Sequence, residues 1–303
     1  MDLFLTCGSP RFQAERSAIA KGRGSHAYLL EGPAGIGKCS FALAVACTFL
    51  CTGEQKPCFA CAACRKVLDG LHPDVHTVKP EKNMLKVDQV RAVISTVYET
   101  PYEGGAKIYV IHDFHLANEQ AQNALLKTLE EPPASVVFFL LAENSLQLLP
   151  TVRSRCRKIR LTGYGEAQIL QQLERLFPQN GRNTYAAREC GGNIGTAVGL
   201  VTDEELIRLH DLARELVTGI EGGYTVPRTA AVLEKEKDSL LLLLQILQQK
   251  LFEKLQSTAD ILTLERIKAL EEAAAAKKKN INSGLLIEEL AYALVKGGVK
   301  WQR

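Results

Sequence analysis

HAYLLEGPAGIGKCSFALAVACTFL, residues 26–50, is the stretch whose reading decides the fold. Its first part, HAYLLEG (26–32), reads as a buried strand entering a glycine-rich turn, and SFALAVACTFL (40–50) reads as a helix. Between them Gly32-Pro33-Ala34-Gly35-Ile36-Gly37-Lys38 fits the G-x-x-x-x-G-K spacing of a phosphate loop. Glycines let backbone N–H groups curl around phosphate oxygens, the helix N-terminus adds partial positive charge, and the lysine reaches the outer phosphates. The motif's last position holds Cys39 in place of Ser or Thr. The hydroxyl expected there ligates Mg²⁺, a hard cation that a thiol serves poorly. Gly32, Gly35, Gly37, Lys38 and Cys39 are therefore the candidate nucleotide-binding set. They leave binding of ATP or ADP open and speak against efficient hydrolysis.

Further along, KIYVIHDF (107–114) and SVVFFLLAE (135–143) are β-branched or aromatic runs bounded by turn residues, as buried parallel strands are. NEQAQNALLKTLEE (118–131) between them has helical periodicity and is stopped by Pro132-Pro133. Strands separated by helices predict an α/β domain with a parallel sheet over residues 1–162. After Leu161-Thr162-Gly163 the strand signal ends, and 164–201 reads as short helices around Gly191-Gly192. From Asp203 onward the pattern is helical, with SLLLLLQILQQKLFEKLQ (239–256) and LERIKALEEAAAAKKK (264–279) its clearest segments. The first is apolar nearly all round, which fits a core helix or a subunit interface.

A length of 303 residues is enough for about two domains at ~150 residues each. Hydrophobic residues make up 46% and aromatics only 6%, so the core is mostly aliphatic. The net charge of +3 neither demands nor excludes a nucleic-acid partner. No run of about 18 apolar residues predicts a membrane span, and MDLFLTCGSPRFQAER lacks the basic start and apolar core of a secretory signal. A reduced, cytoplasmic protein without membrane contact is expected.

A hydrolysing phosphate-loop enzyme needs acidic groups at the end of a second strand. Here Ile108–Ile111 runs into His112-Asp113-Phe114-His115. Only Asp113 is acidic there; in the family whose resemblance is set out below, the places of His112 and Asp113 carry a metal-holding Asp and a catalytic Glu. The two histidines fit metal ligands or, more simply, ordinary strand-end residues.

Four of the nine cysteines, Cys51, Cys58, Cys61 and Cys64, fall within fourteen positions as C-x6-C-x2-C-x2-C. Two overlapping C-x2-C steps aim three thiolates at one point, and Cys51 closes a tetrahedron from the end of the preceding helix. Such a set suits structural Zn²⁺ and leaves no open position for catalysis; iron–sulfur is the competing reading. Cys7, Cys39, Cys47, Cys156 and Cys190 are expected to be ordinary buried thiols.

HAYLLEGPAGIGK, the four-cysteine insert, LHPDVHTV (71–78), IYVIHDFH (108–115), NALLKTLEEPP (123–133) and SRC (154–156) occur in this order. Over about residues 20–200 the chain thereby resembles the delta-prime family of bacterial DNA polymerase III clamp-loader subunits, within the AAA+ class. The last third matches only in being helical. The resemblance implies an AAA+ α/β domain (1–162) carrying a zinc insert (51–64), a helical lid (163–202) and an all-α collar for oligomerisation (203–303). In such rings SRC supplies an arginine finger to ATP on a neighbour. Arg155 is the matching residue, and its planar fork suits charge on transferring phosphate. A basic strand edge is the plainer reading of RSRCRKIR (153–160).

The lid arginine of the family's motor subunit corresponds to Gly195, in GNIGTA (192–197), and the nucleotide-sensing Thr or Asn is matched only by Asn144. The resemblance thus implies a non-hydrolysing component of the DNA-directed DNA polymerase III holoenzyme. Its implied partners are gamma/tau motor and delta subunits in a hetero-oligomeric ring, the sliding clamp, and primed DNA. Two rivals are kept. An autonomous phosphate-loop ATPase is favoured by Lys38 and opposed by Cys39, His112 and Gly195. A zinc-dependent nucleic-acid-binding module with a relic loop would need basic and aromatic groups beside the cysteines, where only Phe59, Arg65 and Lys66 stand.

Overall fold

The computed structural model describes residues 4–81, 84–278 and 283–297. The chain divides into two compact units, Met1–Val198 and Gly199–Arg303.

In the first unit, α1 (Phe4–Gly8) and α2 (Pro10–Ala20) precede β1 (Ala27–Glu31) and α3 (Lys38–Leu50). Ser9 caps α2 by accepting from the Phe12 N–H at 3.3 Å, and Pro10 fits the first turn, where no amide partner is needed. The short helix α4 (Ala62–Leu68) leads to β2 (Val75–Val78), α5 (Val87–Val97), β3 (Lys107–Ile111), α6 (Glu119–Glu130) and β4 (Val136–Ala142). Helix α7 (Pro150–Arg155), β5 (Arg157–Arg160), α8 (Glu166–Leu176), α9 (Asn183–Glu189) and α10 (Ile194–Thr202) follow.

All five strands are parallel, in the order β2-β3-β4-β1-β5. The two-residue period of a strand sorts the side chains onto two faces. Tyr28, Leu30, Ile108, Val110, Phe139 and Leu141 enter the core under α3. Ala27, Leu29, Tyr109, Ile111, Phe138 and Leu140 enter the core under α5 and α6. Tyr28 stacks on Phe139 on one face and Tyr109 on Phe138 on the other, with ring centroids 5.1 and 5.3 Å apart. Burial on both faces is what makes β3 and β4 continuous apolar runs. The expected strand at 107–114 ends earlier, at Ile111, because Asp113 turns left-handed (φ 46°) and opens a 3₁₀ turn.

The second unit is helical: α11 (Glu204–Glu221), α12 (Val226–Lys235), α13 (Leu240–Thr258), α14 (Ile261–Lys278) and α15 (Ser283–Lys296). Leu240, Leu243, Leu244, Ile246, Leu247 and Leu251 of α13 are buried in this bundle, whereas Leu242 and Phe252 are exposed. The all-round apolar pattern of α13 therefore belongs mainly to a core helix. No helix among the described residues is long and apolar enough to cross a membrane.

Candidate nucleotide and metal sites

The phosphate-loop segment joins β1 to α3, as the sequence pattern predicts. Gly35 and Gly37 have φ of +76° and +98°, a left-handed region costly for any side chain. At Gly32 a Cβ would lie 2.9 Å from the Leu161 carbonyl oxygen, so close packing requires glycine there. Lys38, the first residue of α3, is 8% exposed. Its ammonium donates to the carbonyls of Gly32 at 2.7 Å and Pro33 at 2.9 Å. An ammonium has three donors, so one remains for a phosphate oxygen. Burial lowers the Lys38 pKa, while Glu143 and Asp113 oppose the shift.

The groups at the two expected magnesium positions are not the hard oxygen ligands that Mg²⁺ prefers. Burial pushes the Cys39 thiol above its ordinary value, so it is neutral at pH 7. Burial, reinforced by the Lys79 charge, lowers the His112 pKa, leaving a neutral imidazole whose buried Nε2 has no hydrogen-bond partner. Asp113, His115 and Glu143 place one ligand atom each within 4.8 Å of one another; His112 is not in this group. His115 Nδ1 accepts from the Glu143 N–H at 3.4 Å. Asn144 is engaged locally, its side-chain oxygen accepting from the Leu146 N–H at 2.9 Å.

The segment 193–195 lies directly on the loop. The Asn193 side chain donates to the Ala34 carbonyl at 2.6 Å, and the Gly195 N–H donates to the Gly35 carbonyl at 3.0 Å. A Cβ on Gly195 would stand 2.7 Å from Gly35 Cα, so a side chain there would force the two segments apart. Asn193 was not marked as a site residue by the sequence; a polar residue beside two glycines gives no signal of a contact 159 positions away.

The four cysteines come together, with all four sulfurs within 4.8 Å of one another. Cys51 closes the C-terminus of α3, and Cys61 caps the N-terminus of α4, which carries Cys64 in its first turn. Backbone N–H groups of Gly53 and Cys58 point at Cys51 Sγ at 3.3 Å each, that of Cys61 at Cys58 Sγ at 3.2 Å, and that of Cys64 at Cys61 Sγ at 3.5 Å. The Ala60 and Cys61 amides hold Cys58 below the ordinary thiol range and the Cys64 amide holds Cys61 at about 5, whereas burial raises Cys64. The Cys51 and Cys61 sulfurs are 3.9 Å apart. A tetrahedral ion with metal–sulfur bonds of about 2.3 Å needs edges of ~3.8 Å, so the set fits one such ion. Cys47, fully buried behind the cluster, is pushed up to about 12 by burial and behaves as a packing thiol. Cys190 is also buried, but Cys7, Cys39 and Cys156 are only half-buried, contrary to the expectation for all five.

The insert is tied to the sheet by LHPDVHTV. Asp74 is fully buried and accepts from the N–H groups of Tyr102 (2.7 Å) and Glu103 (2.9 Å). Glu103 then pairs with Lys66 on α4 and lies 3.7 Å from His72 Nε2.

Arg155 ends α7 and is not on a strand; the strand begins at Arg157. RSRCRKIR is therefore part helix and part basic edge strand. The Arg155 guanidinium donates from Nη1 to the Thr151 carbonyl at 2.8 Å and pairs through Nη2 with Glu130. Arg157 instead holds Glu15, a carboxylate only 5% exposed, at 2.8 Å.

Residues 10–164 match the family model described as DNA polymerase III, delta subunit. DNA polymerase III subunit delta' of Escherichia coli K12 is 36% identical over 219 residues, which are 71% of this chain and 66% of that protein. The delta' subunit of Pseudomonas aeruginosa is 40% identical over 161 residues, 51% of this chain and 48% of that protein. The chain thus spans about half to two thirds of the length of these curated relatives. Among solved structures, a DNA polymerase III gamma subunit-related protein of Thermotoga maritima superposes with a TM-score of 0.52 at 20% identity, covering 94% of this chain and 98% of that one. That likeness concerns the fold.

Proposed function

Because this chain belongs to the DNA polymerase III delta-prime subunit family, we propose that it works in a clamp loader as a subunit that does not itself hydrolyse ATP. In this reading it helps load the sliding clamp onto primed DNA and offers Arg155 to ATP bound on an adjacent motor subunit of the gamma/tau type. The observation that carries the reading is the uneven state of the phosphate-loop site. The backbone cradle and Lys38 are in place, while the two positions that should hold Mg²⁺ carry a neutral thiol and a neutral imidazole. Such a site can hold ATP or ADP through Lys38 and the loop amides with little help from magnesium, and it is poorly equipped for hydrolysis, since Asp113 and Glu143 are the carboxylates left beside it.

Arg155 supplies what a neighbour's site lacks: a charged planar fork for the charge that spreads over the transferring phosphate. Cys51, Cys58, Cys61 and Cys64 hold structural Zn²⁺, which when bound fastens the end of α3 to the start of α4. The sulfur spacing favours a single ion, since an iron–sulfur cluster spreads its thiolates over several irons. Residues 163–202 serve as the lid and 203–303 as the collar of a cytoplasmic ring that includes a delta subunit. The nucleic-acid-module rival finds little support, because Phe59, the one aromatic beside the cysteines, is partly buried against the core.

The test is ATP turnover of the complex reconstituted from motor, delta and this chain. Arg155→Ala should lower DNA-stimulated turnover and clamp loading, by less than the ~10³–10⁵ of the best-measured trans fingers because the ring has other sites. Exposed Arg160 is the charge control; Arg157 is unsuitable because its loss strands Glu15. Equal losses from Arg155→Ala and Arg160→Ala would point to a basic DNA-facing edge instead. Turnover by this chain alone that Lys38→Ala abolishes would establish the autonomous-ATPase rival.

A further inference from the structure

We infer that Glu130 is a positioning residue for Arg155: it parks the guanidinium against its own domain and yields it when a neighbouring subunit presents a polyphosphate. This rests on the reading of Arg155 as a finger and adds a hold on that finger.

Glu130 has no local reason to be acidic. It is the last residue of α6, where the negative end of the helix macrodipole disfavours a carboxylate. It is not part of the core, for its side chain is 47% exposed. Its partner is Arg155 Nη2, on the last residue of α7. Arg155 Nη1 is taken by the Thr151 carbonyl at 2.8 Å, with Ser154 Oγ at 3.4 Å. Both terminal nitrogens are thus engaged within the chain, and the arginine side chain is 32% exposed instead of reaching into solvent. Each terminal nitrogen keeps a second N–H, but a phosphate that draws the guanidinium outward competes with these contacts for its position.

The competition has a clear direction. A terminal phosphate carries about twice the charge of a carboxylate, so at equal distance it attracts the guanidinium about twice as strongly. The hold is light, because partly exposed ion pairs contribute only ~0.2–1 kcal/mol. One kcal/mol is about five-fold in a rate or equilibrium. Glu130 therefore biases the finger by a few-fold without locking it, which suits a subunit whose neighbour fires only once assembled.

The experiment uses the reconstituted complex with Glu130→Gln, which keeps the side chain's size and removes its charge. ATP turnover without clamp or DNA should rise about two- to five-fold in kcat with KM for ATP unchanged. The gain should shrink as salt rises, since salt already weakens the wild-type pair. The melting temperature of the isolated variant, expected to match wild type, separates this from a structural effect. In the double variant with Arg155→Ala, turnover should fall to the level of Arg155→Ala alone. Unchanged or lower basal turnover in Glu130→Gln, or a gain that persists without Arg155, overturns the inference while leaving the finger intact. If Arg155→Ala alone leaves the complex unaffected, the finger reading fails and this inference falls with it.

Discussion

Replacing Gly195 with Ala should detach the start of α10 from the phosphate loop. The added Cβ would stand 2.7 Å from Gly35 Cα, 2.9 Å from Gly35 O and 3.2 Å from Gly35 C. These are backbone atoms, so no rotamer change relieves the contact. Restoring a separation of ~3.5 Å moves the segment by most of an ångström. That takes the Gly195 N–H to Gly35 carbonyl bond from 3.0 Å past useful length and strains the 2.6 Å bond from Asn193 to Ala34. Two bonds at ~0.5–1.5 kcal/mol each amount to about 1–3 kcal/mol, and overpacking without movement costs about the same. Alanine's helix preference over glycine returns at most ~1 kcal/mol, leaving a net loss of about 1–2 kcal/mol. Gly199→Ala is the control: it lies in the same helix, but its Cβ would meet only the flexible tip of Leu206 at 2.5 Å. The assay is hydrogen exchange of amides 33–38 and 193–198 together with the urea midpoint. Equal protection and equal midpoints for the two variants would refute the reasoning.

The purified chain should contain about one zinc, and Cys61→Ser should release it and loosen residues 51–70 while the sheet stays folded. Elemental analysis finding iron with sulfide, or no metal in fresh protein, would defeat the assignment. Stability should fall on the acid side of neutrality. Burial lowers the His112 and His76 pKa values, so unfolding takes up protons once pH drops below the free imidazole value of ~6.5, and the loss continues down to the folded values. Urea midpoints from pH 7.5 to 5 should decline, and His112→Gln should flatten part of that decline; an unchanged slope would show that His112 titrates normally.

What the sequence made legible follows from where each signal resides. Strands β1, β3 and β4 are covered on both faces, so each is an uninterrupted apolar run that announces itself. The edge strands do not. VHTV is half-buried except for the exposed Thr77, and in RKIR only Ile159 is buried among three exposed basic residues, a composition that also discourages pairing with another sheet. The phosphate loop and the cysteine knot were legible because their chemistry is local: a few adjacent positions specify the backbone turn or the ligand cone. Asn193 on Ala34, Asp74 beneath Tyr102 and Glu130 on Arg155 were not, since each joins segments that periodicity treats as independent.

The same long-range contacts give the loop's glycines and its lysine a structural role apart from any phosphate. Four successive carbonyls, those of Gly32, Pro33, Ala34 and Gly35, each accept a hydrogen bond: the first two from the Lys38 ammonium, the third from Asn193 and the fourth from the Gly195 N–H. With its carbonyls bonded in this way, the loop is a joint between β1, α3 and the start of α10 whether or not a phosphate is present. Lys38 is a structural donor in this loop, and removing it leaves the Gly32 carbonyl without the partner described above, while the Pro33 carbonyl keeps only the Ile36 N–H at 3.4 Å. Positions 39 and 112 make no comparable contribution to the fold. Cys39 is a half-buried thiol and His112 a half-buried imidazole, and neither anchors a second segment through its side chain in any bond described above.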